Sequence, residues 1–151
     1  MTYKGIIFDL DGTLVNSIED IADAMNTVLE GYHYPVHDYE AYKYFVGSGI
    51  RSLVVKALPE AHRDEVQVNL AFDAMKHIYS KHCTDKTKAY DGIHELLDQL
   101  KSQGIKLSIL SNKADILTKK VATHVFPDYF EVVAGLTTEA LKKPNPAVAL
   151  N

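Results

Sequence analysis

The chain opens on a short unbroken apolar run, Gly5-Ile6-Ile7-Phe8, which stops at Asp9. An apolar run of that length without alternation predicts a strand buried on both faces, as in a parallel sheet. From residue 17 to about 85 the spacing changes. Ile18, Ile21, Ala22, Met25 and Leu29 recur at helical intervals, as do Ile50, Leu53, Val54 and Ala57, and later Val66, Leu70, Ala74 and Ile78. No comparable strand interrupts them, so this stretch predicts an insert of about four helices. From Ala89 onward strand and helix alternate. Asp91 is placed to cap a helix whose face is Ile93, Leu96, Leu97 and Leu100, with Gly104 ending it. Residues 106–110 read as a second strand. Residues 114–125 read as a helix with Leu117, Val121 and Val125 on one side, and residues 130–134 as a third strand. Such alternation implies a parallel sheet with right-handed crossovers. The fold class expected is α/β: a Rossmann-like core of three parallel strands with an α-helical cap inserted after the first. The core takes residues 1–16 and 86–151, the cap 17–85. Thr84-Asp85-Lys86-Thr87-Lys88, polar and aperiodic, is the expected hinge.

Composition narrows the function classes. Apolar residues make up 46% and charged residues 24%, ordinary for a globular domain. A net charge of −4 and no basic stripe argue against a nucleic-acid partner. No apolar run approaches the roughly 18 residues of a membrane span. The N-terminal run meets a charge too early for a signal peptide. The single cysteine, Cys83, forms no intrachain disulfide, and the expected location is the cytoplasm.

The segment Phe8-Asp9-Leu10-Asp11-Gly12-Thr13-Leu14 carries the chemistry. Two carboxylates sit two residues apart at the end of a strand, where open parallel sheets bind ligands. In extended chain, residues two apart face the same side. Gly12 permits a sharp turn, and Thr13 adds a hydroxyl and an amide. A carboxylate is ionised at neutral pH and needs no base to act as a nucleophile. It does need a cation to approach a phosphate dianion, and Mg²⁺ with oxygen ligands suits that task. The second carboxylate can give a proton to a leaving oxygen and later take one from water.

Asp9-Leu10-Asp11-Gly12-Thr13-Leu14-Val15 resembles the first motif of the haloacid dehalogenase-type phosphatases. Ser111-Asn112-Lys113, at the end of the second strand, resembles the second motif. Lys142-Lys143-Pro144-Asn145-Pro146, after the third strand, resembles the third. The resemblance implies that Asp9 forms an aspartyl-phosphate and serves Mg²⁺, and that Asp11 is the general acid/base and offers its backbone carbonyl to Mg²⁺. Ser111, the Asn112 amide, Gly12, Thr13 and Lys143 would bind the phosphoryl group. Lys143 is preferred to Lys142 because the family places its lysine directly before proline.

The substrate expected is a small phosphomonoester, the nearest likeness being to phosphoglycolate phosphatase-type members. A phosphosugar mutase shares the nucleophile and cap, although mutases more often carry a residue other than Thr after Asp-Gly. A catalytically deficient phosphate- or metal-binding remnant is the reading from another class. Within the cap, Gly47-Ser48-Gly49-Ile50-Arg51 opens a helix, so Gly49 and Arg51 are candidates for receiving a substrate anion. Five tyrosines (Tyr32, Tyr34, Tyr39, Tyr42 and Tyr44) are read as packing, and His77, His82 and Cys83 match no zinc spacing. Asn145 and Pro146 read as the start of a further helix. The family's fourth strand, whose acidic residues complete the Mg²⁺ site, has no counterpart here. The expectation is therefore a truncated chain with an open strand edge, weak Mg²⁺ binding and little turnover.

Overall fold

The computed structural model describes residues 3–150. The chain divides into two compact units, one formed by Ser17–Lys86 and the other by the residues on either side of it. Among the described residues no helix is long and apolar enough to cross a membrane.

The flanking residues form the α/β unit. Its sheet has the order β1-β4-β5, with β1 (Gly5–Phe8), β4 (Lys106–Ala114) and β5 (Val132–Leu136) all parallel. Gly5 pairs with Lys106 and Phe8 with Ile109. A second, two-stranded antiparallel sheet joins β2 (Val15–Asn16) to β3 (Lys88–Ala89). Helices α5 (Ile93–Ser102), α6 (Asp115–Val125) and α7 (Ala147–Leu150) and a 3₁₀ turn at Glu139–Leu141 belong to the same unit. Leu107 and Ile109 of β4, Leu97 of α5, and Leu117, Val121 and Ala122 of α6 are buried with Leu10, Leu14 and Phe126.

Three details depart from the sequence reading. β1 is not buried on both faces: among the described residues it pairs with β4 alone, and Ile7 is 53% exposed. Asp91 does not cap α5. Gly92 takes that place in the left-handed region, with Ile93 N–H donating to the Tyr90 carbonyl. The second strand runs on to Ala114, and the third begins two residues later than expected. Gly104 ends α5 as anticipated, at a φ of +72°. Asn145 does cap α7, its Oδ1 accepting the Ala147 N–H at 2.9 Å.

The other unit is helical: α1 (Ile18–Gly31), α2 (Tyr39–Phe45), α3 (Ile50–Ala57) and α4 (Glu65–His82), with a 3₁₀ turn at Glu60–His62. The apolar faces of α1 and α3 are those the spacing predicts. That of α4 is not. It buries Val68, Ala71, Met75 and Tyr79, while Val66 and Leu70 stand 65% and 51% exposed. α4 starts at Asp64, whose carboxylate accepts the N–H groups of Val66 and Gln67. The segment read as a hinge is tied to α1: buried Asp20 accepts the Lys86 N–H on both oxygens, at 2.9 and 3.0 Å. Of the tyrosines, Tyr42 is fully buried, and burial together with the Asp23 charge raises its phenol pKa well above the usual value.

Candidate active site

Strand β1 ends at Phe8, and the chain turns at once. Leu14 and Val15 N–H both donate to the Leu10 carbonyl, at 2.9 and 3.1 Å, and Gly12 N–H donates to Val15 O at 2.9 Å. Gly12 adopts a φ of +78°, a conformation that costs an L side chain but not glycine. This turn places Asp9 and Asp11 beyond the strand end. The N–H groups of Gly12 and Thr13 are spent within it, Thr13 donating to Leu10 O at 3.3 Å.

Strand β4 outlasts β1. In the β1 register Phe8 faces Ile109, so Leu110 to Lys113 run on past the end of β1 beside the turn. On its other side β4 loses register with β5 between Leu110 and Ala114. Such irregularities re-aim side chains and are common near active sites. Ser111 and Lys113 are buried there, and Asn112 is half-buried.

Two lysines reach the two aspartates. Lys143 Nζ lies 2.9 Å from Asp9 Oδ1 and also donates to the Leu110 carbonyl at 2.9 Å. Asp9 Oδ1 accepts the Leu10 N–H as well, at 2.8 Å, and the Asp9 side chain remains 46% exposed. Asn112 positions Lys143: its Oδ1 accepts the Lys143 N–H at 2.7 Å. Lys143 precedes Pro144 through a cis peptide. Lys142 instead points to Glu139, at 3.5 Å. Lys113 Nζ donates to both oxygens of Asp11, at 2.8 and 3.1 Å, from a side chain only 4% exposed. Ser111 Oγ accepts the Lys113 N–H at 3.1 Å.

Of the residues singled out from the sequence, the structure thus brings Asp9, Asp11, Ser111, Asn112 and Lys143 to one end of the parallel sheet. Gly12 and Thr13 build the turn there. Gly49 and Arg51 belong to the helical unit. Gly49 precedes α3 at a φ of +89°, and the Arg51 guanidinium donates to Asn69 Oδ1 at 2.6 Å and lies 5.9 Å from the Phe72 ring centroid. Lys113 had no role in the sequence reading. A signal was available, because Leu107, Ile109, Ser111 and Lys113 share one phase of the strand alternation.

Among the described residues no group of three or more His, Cys, Asp and Glu converges on one point. Asp9 and Asp11 offer hard oxygen donors, the chemistry that suits Mg²⁺. The Asp9 carboxylate and the Asp11 carbonyl are such oxygens, so the two residues fit the ion in donor type, while both Asp11 carboxylate oxygens meet Lys113.

A family model described as haloacid dehalogenase-like hydrolase matches residues 6–151. The phosphoglycolate phosphatase of Aquifex aeolicus is 34% identical over 146 residues, covering 96% of this chain and 66% of that protein. That of Nitrosococcus oceani is 32% identical over 150 residues, covering 97% and 67%. A solved candidate phosphoglycolate phosphatase from Lactobacillus delbrueckii subsp. bulgaricus superposes with a TM-score of 0.90 at 28% identity, covering 99% of this chain and 72% of that one. The chain spans about two thirds of the length of these curated relatives.

Proposed function

The chain belongs to the haloacid dehalogenase-like hydrolases, and from that membership we propose that it hydrolyses a small phosphomonoester, phosphoglycolate or a close analogue, through an aspartyl-phosphate on Asp9. The observation that carries this reading is the convergence of Asp9 and Lys143 at 2.9 Å, beside Asp11 and Ser111, at the sheet end. Lys143 and the Leu10 N–H fix Oδ1 of Asp9, which leaves Oδ2 as the attacking oxygen. Mg²⁺ held by Asp9 and Asp11 would supply the charge that lets a carboxylate meet a phosphate dianion.

In the first step Asp9 Oδ2 forms a bond to phosphorus and the ester oxygen leaves, taking a proton from Asp11. In the second, water attacks phosphorus and gives its proton to Asp11. The acyl-phosphate P–O bond breaks, releasing inorganic phosphate and Asp9. The Lys143 ammonium offsets charge on the phosphoryl oxygens in both steps, where fixed donors have most effect. Ser111 Oγ accepts from Lys113 and donates to no described residue, so its O–H suits a phosphoryl oxygen.

The reading predicts Mg²⁺-dependent phosphate release from phosphoglycolate in a panel of small phosphomonoesters, abolished in Asp9→Asn. Trapping with beryllium fluoride and Mg²⁺ should modify Asp9. Turnover retained by Asp9→Asn, or an adduct on another residue, would overturn it.

A further inference from the structure

We propose that Lys113 is a positioning residue that holds the Asp11 carboxylate in the place from which it exchanges protons with leaving group and water. This deepens the reading of Asp11 given above and rests on it.

A lysine ammonium withdrawn from water is costly unless it is paired and hydrogen-bonded. The Lys113 side chain is 4% exposed, and Asp11 meets it with both carboxylate oxygens, at 2.8 and 3.1 Å. Its backbone is fixed on two sides. Its N–H donates to Ser111 Oγ at 3.1 Å, and its carbonyl accepts the buried Thr118 hydroxyl at 3.0 Å. Its carbonyl oxygen also lies 2.6 Å from where a Cβ on Gly135 would stand, so β5 presses against it. Lys113 therefore projects from a rigid base. Asp11, by contrast, sits in a tight turn and is only partly buried. A rigid cation grasping both oxygens removes the carboxylate's rotational choice about its own side-chain bonds. A misplacement of about 1 Å at a reacting group can cost roughly 100-fold in rate.

Three measurements test this on the purified protein, comparing Lys113→Met, Asp11→Asn and the double variant. First, Lys113→Met should lower kcat/KM, which reads the step that expels the leaving group, on an alkyl phosphate by about 10- to 100-fold. Its effect on kcat/KM for p-nitrophenyl phosphate, whose leaving group departs without a proton, should be markedly smaller. Equal losses of kcat/KM on both substrates would overturn the proposal, as would an unchanged kcat/KM. Second, the double variant should lose no more than Asp11→Asn alone, because Lys113 acts only through Asp11. Multiplicative losses would refute that. Third, a crystal structure of Lys113→Met should show the Asp11 carboxylate displaced or in several rotamers while Lys143 keeps its contact with Asp9. An unmoved Asp11 would overturn the proposal whatever the kinetics. If Lys113→Met does not fold, Lys113→Gln is read by the same criteria. Should the unsubstituted protein release no phosphate, the hydrolase reading fails, and the crystallographic comparison still judges Lys113 by itself.

Discussion

Gly135→Ala tests whether the base that carries Lys113 is as tightly built as its contacts indicate. Gly135 lies in β5, and its N–H donates to Asp115 Oδ1 at 2.9 Å. A Cβ there would stand 2.5 Å from Asp115 Cα, 2.5 Å from Thr118 Oγ1 and 2.6 Å from the Lys113 carbonyl oxygen. Real Cβ contacts essentially never fall below 3.0 Å. Two of the three neighbours are backbone atoms and cannot rotate away, so β5 must separate from β4 and from the start of α6. Overpacking of this kind costs about 1–3 kcal/mol. Moving the Asp115 carboxylate off the Gly135 N–H adds about 1.5–3 kcal/mol if that charged hydrogen bond is lost. Restricting the unfolded chain returns about 0.4–1 kcal/mol. With that bond lost, the net expectation is a destabilisation of roughly 1.5–5.5 kcal/mol.

Urea denaturation followed by far-UV circular dichroism and tyrosine fluorescence measures this, since the chain has nine tyrosines and no tryptophan. The two units could unfold in separate transitions. Amide exchange at Leu107 to Leu110 would then assign the loss to the α/β unit. A change below about 0.5 kcal/mol, the range of an ordinary surface substitution, would refute the reasoning.

Lys143→Ala should lower kcat by about 10²–10³-fold, as removal of a fixed donor to a transferring group does. Lys142→Ala, whose partner is exposed Glu139, should leave it within about twofold; a reversed ranking in steady-state assays would move the phosphate contact to Lys142. Asp20→Ala should destabilise the helical unit by about 1–3 kcal/mol in thermal melts and speed exchange at the Lys86 amide, which loses both acceptor oxygens. Asp115 has its pKa lowered, first by the Lys119 ammonium at 2.7 Å and then by the Gly135 N–H. Its folded pKa lies below its unfolded one, so its contribution to stability is present above about pH 4 and is lost as pH falls through the folded value. Asp115→Asn should therefore flatten the loss of urea resistance on acidification below about pH 4, and an identical acid limb in both proteins would exclude this role for the pair.

Helical spacing located α4 but assigned it the wrong face, for a physical reason. Apolar residues occur on two sides of this helix, at Val66, Leu70, Ala74 and Ile78 and also at Val68, Ala71, Met75 and Tyr79. Both sets satisfy a 3.6-residue period. Period alone does not give phase, which is decided by the other helices of the unit. α1 and α3 each offer one continuous apolar face, and there the reading and the burial agree. The cap of α5 was missed for a related reason. Asp91 is a suitable capping residue by type, but a left-handed glycine and the Ile93 to Tyr90 turn already start that helix.

At the strand ends the motif order was legible, because the first two motifs lie at the ends of apolar runs and the third follows the third strand. The pairing of charges was not. Two aspartates and two lysines, Lys113 and Lys143, admit two pairings, and local sequence does not choose between them. The choice follows from register. Phe8 faces Ile109, so β4 carries Leu110 to Lys113 alongside the turn after β1, where Lys113 reaches Asp11, the deeper of the two carboxylates. Lys143 arrives from the segment after β5, held by Asn112, and meets the more exposed Asp9. The buried lysine thus has the partner that can follow it out of water, and the exposed aspartate keeps an oxygen open to a ligand.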